Sequence, residues 1–362
     1  MAETKSSGLD DVVAAETVLS EVDGANGRLV IRGHALAELA GRMRFEALIA
    51  LLFQDFFADL PETAEIAHRL GQARAEVFAL CRSVPAHLPP VDAVQAALAQ
   101  IEDGDDLATA LRLIAVPAVM TPLHRRRAAG LPAIAPDPGR GHAADILAML
   151  GTSAAAREAQ ALDTYLVTVA DHGLNASTFA ARVVASTRAG LKSSTLAGLG
   201  ALKGPLHGGA PGPVIEMLDA IGTAENAAAW IDAAFARGER IMGFGHRIYR
   251  VRDPRADALK AALGRLTPSD AVRGRLALAE AVEKAALDIL HRRKPGRALE
   301  TNVEFYTALL LEALGFAPED FTAVFAMGRM AGWIAHAREQ VRTGRLIRPQ
   351  SRYIGPGPAE AA

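Results

Sequence analysis

Gly204-Pro205-Leu206-His207-Gly208-Gly209-Ala210, followed after helix-like text by Gly243-Phe244-Gly245-His246-Arg247-Ile248-Tyr249-Arg250 and Asp253-Pro254-Arg255, is the stretch on which the reading of this chain turns. Two histidines each sit among glycines. Glycine lets a backbone approach a ligand closely and adopt angles other residues avoid. Histidine donates or accepts a proton near neutral pH. Two such loops flanking helical sequence describe the rim of an active site.

Outward from that stretch the text is helical on both sides. Phe45 to Phe53, Val91 to Glu102, Asp106 to Met120, His142 to Leu150 and Ala154 to Val169 carry apolar residues at three- and four-residue spacing. Asp171 to Ser186 continues the pattern, and Pro61 opens a further helix. Beyond Pro211, helices are expected over Val214–Ile221, Ala224–Ala236, Asp257–Leu263, Ala271–His291, Asn302–Leu314 and Asp320–Thr343, before an extended tail. Frequent alanine favours helix. Only the N-terminus reads otherwise. There Val12–Ala15 and Arg28–Ile31 flank the turn-rich Asp23–Gly27, which predicts a short hairpin. The class is all-α, with breaks near Pro211 and Gly315.

Composition narrows the function. The 362 residues are half hydrophobic, with net charge −2, which gives no pull toward nucleic acid or an anionic membrane. Cys81 is the single cysteine, so an intrachain disulfide or cysteine metal cluster is excluded, and no histidine spacing suggests zinc. The opening residues lack the apolar core of a signal peptide, and the most apolar run, from Leu107, is interrupted by Arg112. A cytoplasmic protein without membrane or nucleic-acid partners is expected.

Arginines gather near the glycine loops: Arg247, Arg250, Arg252 and Arg255. Arg329 lies in an apolar run, where a guanidinium is costly to bury without an anion. Because arginine pairs bidentately with carboxylates, a small substrate carrying more than one carboxylate fits. Taken singly, each residue has a plainer reading. His172 fits a capping or core histidine, Arg329 fits a structural ion pair, Glu304 fits any helical glutamate, and Arg292–Arg297 fits a solvated basic loop.

In combination these motifs resemble the citrate synthase family over most of the chain. To the two histidine loops are added Asn175-Ala176-Ser177-Thr178-Phe179, Asn302-Val303-Glu304-Phe305-Tyr306, Arg32-Gly33 and Arg348-Pro349 through Tyr353-Ile354-Gly355, in matching order. The resemblance implies a two-domain helical homodimer, with residues 1–211 and 315–362 as a large domain and 212–314 as a small one. The implied reaction condenses acetyl-CoA with oxaloacetate and hydrolyses citryl-CoA, a tricarboxylic acid cycle step, with no permanently bound cofactor and no metal.

By the same resemblance Glu304 is the base that deprotonates the acetyl methyl group. His207 stabilises the enol or enolate, and His246 polarises the oxaloacetate carbonyl. His172, Arg255 and Arg329 bind oxaloacetate, Arg348 reaches the partner subunit's site, and Arg250, Lys294 and Arg297 are candidates for the CoA phosphates. One residue departs from the family pattern: the base position is usually aspartate, and here it is Glu304, one methylene longer. Two alternatives follow, a 2-methylcitrate synthase using propionyl-CoA, and a catalytically weak homologue that binds CoA or a dicarboxylate.

Overall fold

A computed structural model of the chain describes residues 9, 12–209, 211–246, 248–266, 270–294 and 299–357. Three short strands, β1 (Ser20–Asp23), β2 (Arg28–Ile31) and β3 (His34–Ala35), form an antiparallel sheet in the order β1-β2-β3. In its register Ser20 faces Ile31 and Asp23 faces Arg28. The hairpin turn at 24–27 is where the sequence puts it. Its first strand is not Val12–Ala15, which has no regular structure, but the later Ser20–Asp23. Val12 and Val13 are largely exposed, so β-propensity there has no face to bury.

The other regular elements are helices. The first half contains α1 (Leu36–Leu39), α2 (Phe45–Phe53), α3 (Thr63–Ser83), α4 (Pro90–Ala99), α5 (Leu107–Ala128), α6 (His142–Leu150), α7 (Ala156–Val169), α8 (Ala176–Ser186) and α9 (Leu191–Leu202). The second half contains α10 (Gly212–Ile221), α11 (Ala227–Ala236), α12 (Pro254–Arg265), α13 (Asp270–Arg293), α14 (Val303–Ala313) and α15 (Phe321–Thr343). The all-α class is therefore correct. Three details differ from the sequence reading. Helix α9 was not anticipated, because its small residues (Ser193, Ser194, Gly198, Gly200) give little apolar periodicity. Residues 171–175 are not helical, since Asn175 caps α8 and ends the preceding loop. Helix α5 runs beyond Met120 and through Pro122 to Ala128. It is long and apolar enough to cross a membrane, yet most of that span is buried inside the fold.

Helix α15 is the axis of the core. It is buried on nearly every side and packs against α5, α7, α8 and α9. Glycine makes one of these approaches possible. A methyl group at Gly332 would come within 2.1 Å of the Ala170 carbonyl oxygen, and one at Gly328 within 2.8 Å of that of Leu166. Side chains at those two positions would force apart α7 and α15, the helices that carry the floor of the cleft. Helix α12 packs on both α14 and α7 and so joins residues 212–314 to the rest of the chain.

Candidate active site

Three helices begin at the cleft, each fixed by a side-chain cap. Asn175 Oδ1 accepts from the Ser177 and Thr178 N–H groups at 3.1 Å each. Asp253 Oδ1 accepts from Arg255 N–H at 3.0 Å, with Pro254 in the first turn of α12. Asn302 Oδ1 accepts from Glu304 N–H at 3.1 Å. Caps of this kind satisfy otherwise unpaired N–H groups and set where a helix starts. Here they fix the residues just before and after them: His172, Arg255 and Glu304.

The loop bearing His246 is clipped to the segment before Glu304. Gly245 N–H donates to Glu300 O at 2.7 Å, Asn302 N–H to Gly243 O at 3.0 Å, and Asn302 Nδ2 to Gly245 O at 2.8 Å. Gly243 has φ +83°, and a methyl group there would meet Phe305 at 2.8 Å, so the position requires glycine. His246 Nδ1 accepts from the backbone N–H groups of Ile248 and Tyr249 at 3.0 and 3.1 Å. The proton of the neutral ring therefore sits on Nε2. Arg255 Nη2 lies 3.2 Å from that nitrogen while its own Nε and Nη2 grip both oxygens of Asp253. Two donors thus converge on one point, the arrangement that holds a carbonyl or carboxylate oxygen. Burial, reinforced by Arg255 and opposed by Asp253, takes the His246 pKa down to about 4.

His172 is buried, with its ring 5.7 Å from that of His246 and its Nε2 3.1 Å from the Tyr249 hydroxyl. Burial, then Arg255 and Arg329, holds it well below the usual imidazole range. His207 Nε2 lies 2.9 Å from Ser177 Oγ, which also accepts from Trp333 Nε1 at 3.2 Å. Ser177 Oγ also donates to Asn175 Oδ1 at 2.8 Å. Turned to His207 Nε2 instead, that hydroxyl leaves the ring's own proton on Nδ1, which has no partner among the described residues. Burial, with Arg329 and Arg255, lowers the His207 pKa to about 4. All three histidines are neutral at pH 7.

Phe325 links His207 to Arg329: its ring centroid is 6.4 Å from that of His207 and 4.9 Å from Arg329 Cζ. Arg329 is buried and donates Nε–H to Val169 O at 2.6 Å, but its Nη1 has no partner among the described residues. Burial lowers its pKa to about 10, with Asp171 opposing. Glu304 Oε2 is likewise enclosed and unpaired. Burial raises the Glu304 carboxyl, against the pull of Arg255.

Six of the residues singled out in the sequence therefore share one electrostatic neighbourhood: His172, His207, His246, Arg255, Arg329 and Glu304. The others stand apart. Arg250 is exposed, held through its backbone N–H to Gly24 O at 2.8 Å. Lys294 is exposed, with its ammonium 5.0 Å from the Phe235 ring. Arg348 is exposed in the extended tail, and Arg297 lies outside the described residues. Sequence reasoning passed over Asp253, the partner of Arg255, and Ser177, the partner of His207. It also passed over Tyr165, whose enclosed hydroxyl has no partner among the described residues.

Comparison with known proteins gives a consistent result. A family model described as "Citrate synthase, C-terminal domain" matches residues 8–350. The chain is 37% identical over 368 residues to a 2-methylcitrate synthase of Mycobacterium tuberculosis, covering 96% of this chain and 90% of that one. It is 35% identical over 369 residues to a citrate synthase of Acidithiobacillus ferridurans, covering 96% and 95%. Among solved structures it resembles the citrate synthase of Thermoplasma acidophilum in a ternary complex with carboxymethyl coenzyme A and oxaloacetate, with a TM-score of 0.82, 29% identity and coverage of 97% and 96%.

Proposed function

Since this chain belongs to the citrate synthase family, we propose that it condenses acetyl-CoA with oxaloacetate and hydrolyses the resulting citryl-CoA to citrate and CoA. It is an acyltransferase of the citrate (Si)-synthase type. The observation that carries the reading is the pair of donors at His246 Nε2 and Arg255 Nη2, 3.2 Å apart, in the same neighbourhood as an unpaired Glu304 oxygen.

The roles follow from charge and proton position. Glu304 removes a proton from the acetyl methyl group, and burial makes it a stronger base than an exposed glutamate. His207, neutral, donates Nδ1–H to the oxygen of the forming enolate. His246 donates Nε2–H to the oxaloacetate carbonyl, so that charge building on both oxygens meets fixed donors. His172, Arg255 and Arg329 hold the oxaloacetate carboxylates. The clip between 243–245 and 300–302 keeps the base and the carbonyl donor in fixed relation.

Several finer points belong to the same proposal. Residues 212–314 act as a closing unit over the cleft and exclude water. Acetyl-CoA is a co-substrate, with Arg250, Lys294 and Arg297 the candidates for its phosphates. The active unit is a homodimer in which Arg348 enters the partner's site. The exposed tail residues Leu346, Tyr353 and Ile354 support this, since a partner would cover them. A cytoplasmic setting and a place in the tricarboxylic acid cycle complete the proposal. The mycobacterial relative favours one second reading, propionyl-CoA as donor. Steady-state thiol release with oxaloacetate and each acyl-CoA tests the choice. A higher kcat/KM with acetyl-CoA is expected, a preference for propionyl-CoA would establish the second reading, and oxaloacetate binding without thiol release from either would overturn both.

A further inference from the structure

The floor of the cleft carries a polar group that the mechanism above does not use. Tyr165 is fully buried on α7, and its hydroxyl has no hydrogen-bond partner among the described residues. A buried hydroxyl left unpaired is unfavourable, so one kept among apolar neighbours calls for an explanation. Its position supplies one. Tyr165 lies one helical turn before Val169, whose carbonyl receives Arg329 Nε–H. The two helices touch there, with Leu166 and Val169 against Gly328. Burial raises the hydroxyl's pKa, Arg329 opposes that rise, and Glu304 adds to it, so Tyr165 lies within the field of both. Arg329 Nη1 and Glu304 Oε2 are the other enclosed polar atoms of this neighbourhood without partners.

Two of these three groups donate. Arginine can only donate, and a phenol donates readily. A carboxylate between them satisfies both at once, whereas a water or a neutral group leaves the buried Arg329 charge uncompensated. We propose that the Tyr165 hydroxyl is a substrate-contacting group that donates a hydrogen bond to the oxaloacetate carboxylate held by Arg329. The proposal rests on the functional reading above and adds a specific donor to it. Arg329, rather than Glu304, is the chosen neighbour because α7 packs along α15 closely and touches α14 only lightly.

Full-length Tyr165→Phe separates this role from a structural one. Oxaloacetate affinity, measured by calorimetry without acyl-CoA, is expected to fall roughly 10-fold or more, as for a lost hydrogen bond to a charged group. The KM for oxaloacetate rises in step, while kcat and the KM for acetyl-CoA stay within about threefold. The Tm is unchanged or higher, because the hydroxyl bonds nothing among the described residues. Unchanged oxaloacetate affinity in Tyr165→Phe would overturn the proposal. So would a fall in kcat with affinity retained, which assigns the hydroxyl to Glu304, or a Tm several degrees lower, which assigns it a structural partner. Failure of the wild type itself to bind oxaloacetate would overturn the functional reading and this proposal together. Wild-type binding without turnover would strike only the former.

Discussion

Arg182 and Arg329 are buried to the same degree, at 2% and 1% exposure, on helices that pack against each other, yet they are treated oppositely. Arg182, behind the cleft, donates Nε–H to Gln340 at 2.9 Å and pairs through Nη1 with His336 and Glu339. His336 passes the chain of contacts on to Asp171, next to His172. Arg329, at the cleft, has one backbone acceptor and, among the described residues, no carboxylate in hydrogen-bond contact and no partner for Nη1. A buried guanidinium that the fold pairs with an amide, an imidazole and a carboxylate holds the architecture together. One that the fold leaves partly unpaired is prepared for an anion from outside. Glu304 Oε2 and the Tyr165 hydroxyl extend the same contrast.

The contrast can be broken at several points. The largest effect is expected at Glu304: Glu304→Gln should lower kcat by roughly 10²–10⁴-fold, the range for a lost general base, while Glu304→Asp retains turnover. Thiol-release assays read both, and unchanged kcat in Glu304→Gln would remove Glu304 from the chemistry. Next come the arginines. Arg182→Ala strands Glu339 in the interior and should cost about 3–5 kcal/mol in urea melts. Arg329→Met should leave stability level or improved but weaken oxaloacetate binding about 100-fold by calorimetry. If Arg329→Met destabilised the protein as much as Arg182→Ala, the distinction between them would collapse.

The smallest effect concerns protons. His207 has its pKa lowered from 6.5 to about 4 in the folded protein. Between those values the unfolded chain binds a proton that the folded chain does not. The ring therefore contributes stability that is fully present above about pH 6.5 and lost as pH falls toward 4. Relative to His207→Gln, the wild type should lose on the order of 1 kcal/mol between pH 7 and pH 5, allowing for partial exposure. Parallel melts at the two pH values check this, and a constant difference would mean that the cleft does not keep His207 neutral.

Much of this was legible in the sequence. The helices with regular apolar spacing, such as α2 and α6, run over the residues the pattern marks. The six residues of the cleft core were identified by their motifs. What was hidden depended on three-dimensional pairing. Nothing in Asp253-Pro254-Arg255 says that the aspartate both caps a helix and grips the arginine two residues on. Tyr165 reads as one more aromatic in a helical run until its hydroxyl is seen to lack a partner. Helix α9 escaped notice because it packs through small residues, whose contribution is close approach to α8 rather than apolar area.

The N-terminal hairpin has a consequence for how the molecule is made. Ser20 Oγ accepts from Gly173 N–H, Gly24 O accepts from Arg250 N–H, and Val18 N–H donates to Glu339, a partner 321 residues later. These early residues thus tie down the loops that carry His172 and His246 and the central helix, none of which exists when the hairpin leaves the ribosome. At ordinary synthesis rates the wait for Glu339 is roughly 15–65 s. This early segment can be seated fully only after Glu339 has been translated, 321 residues beyond Val18.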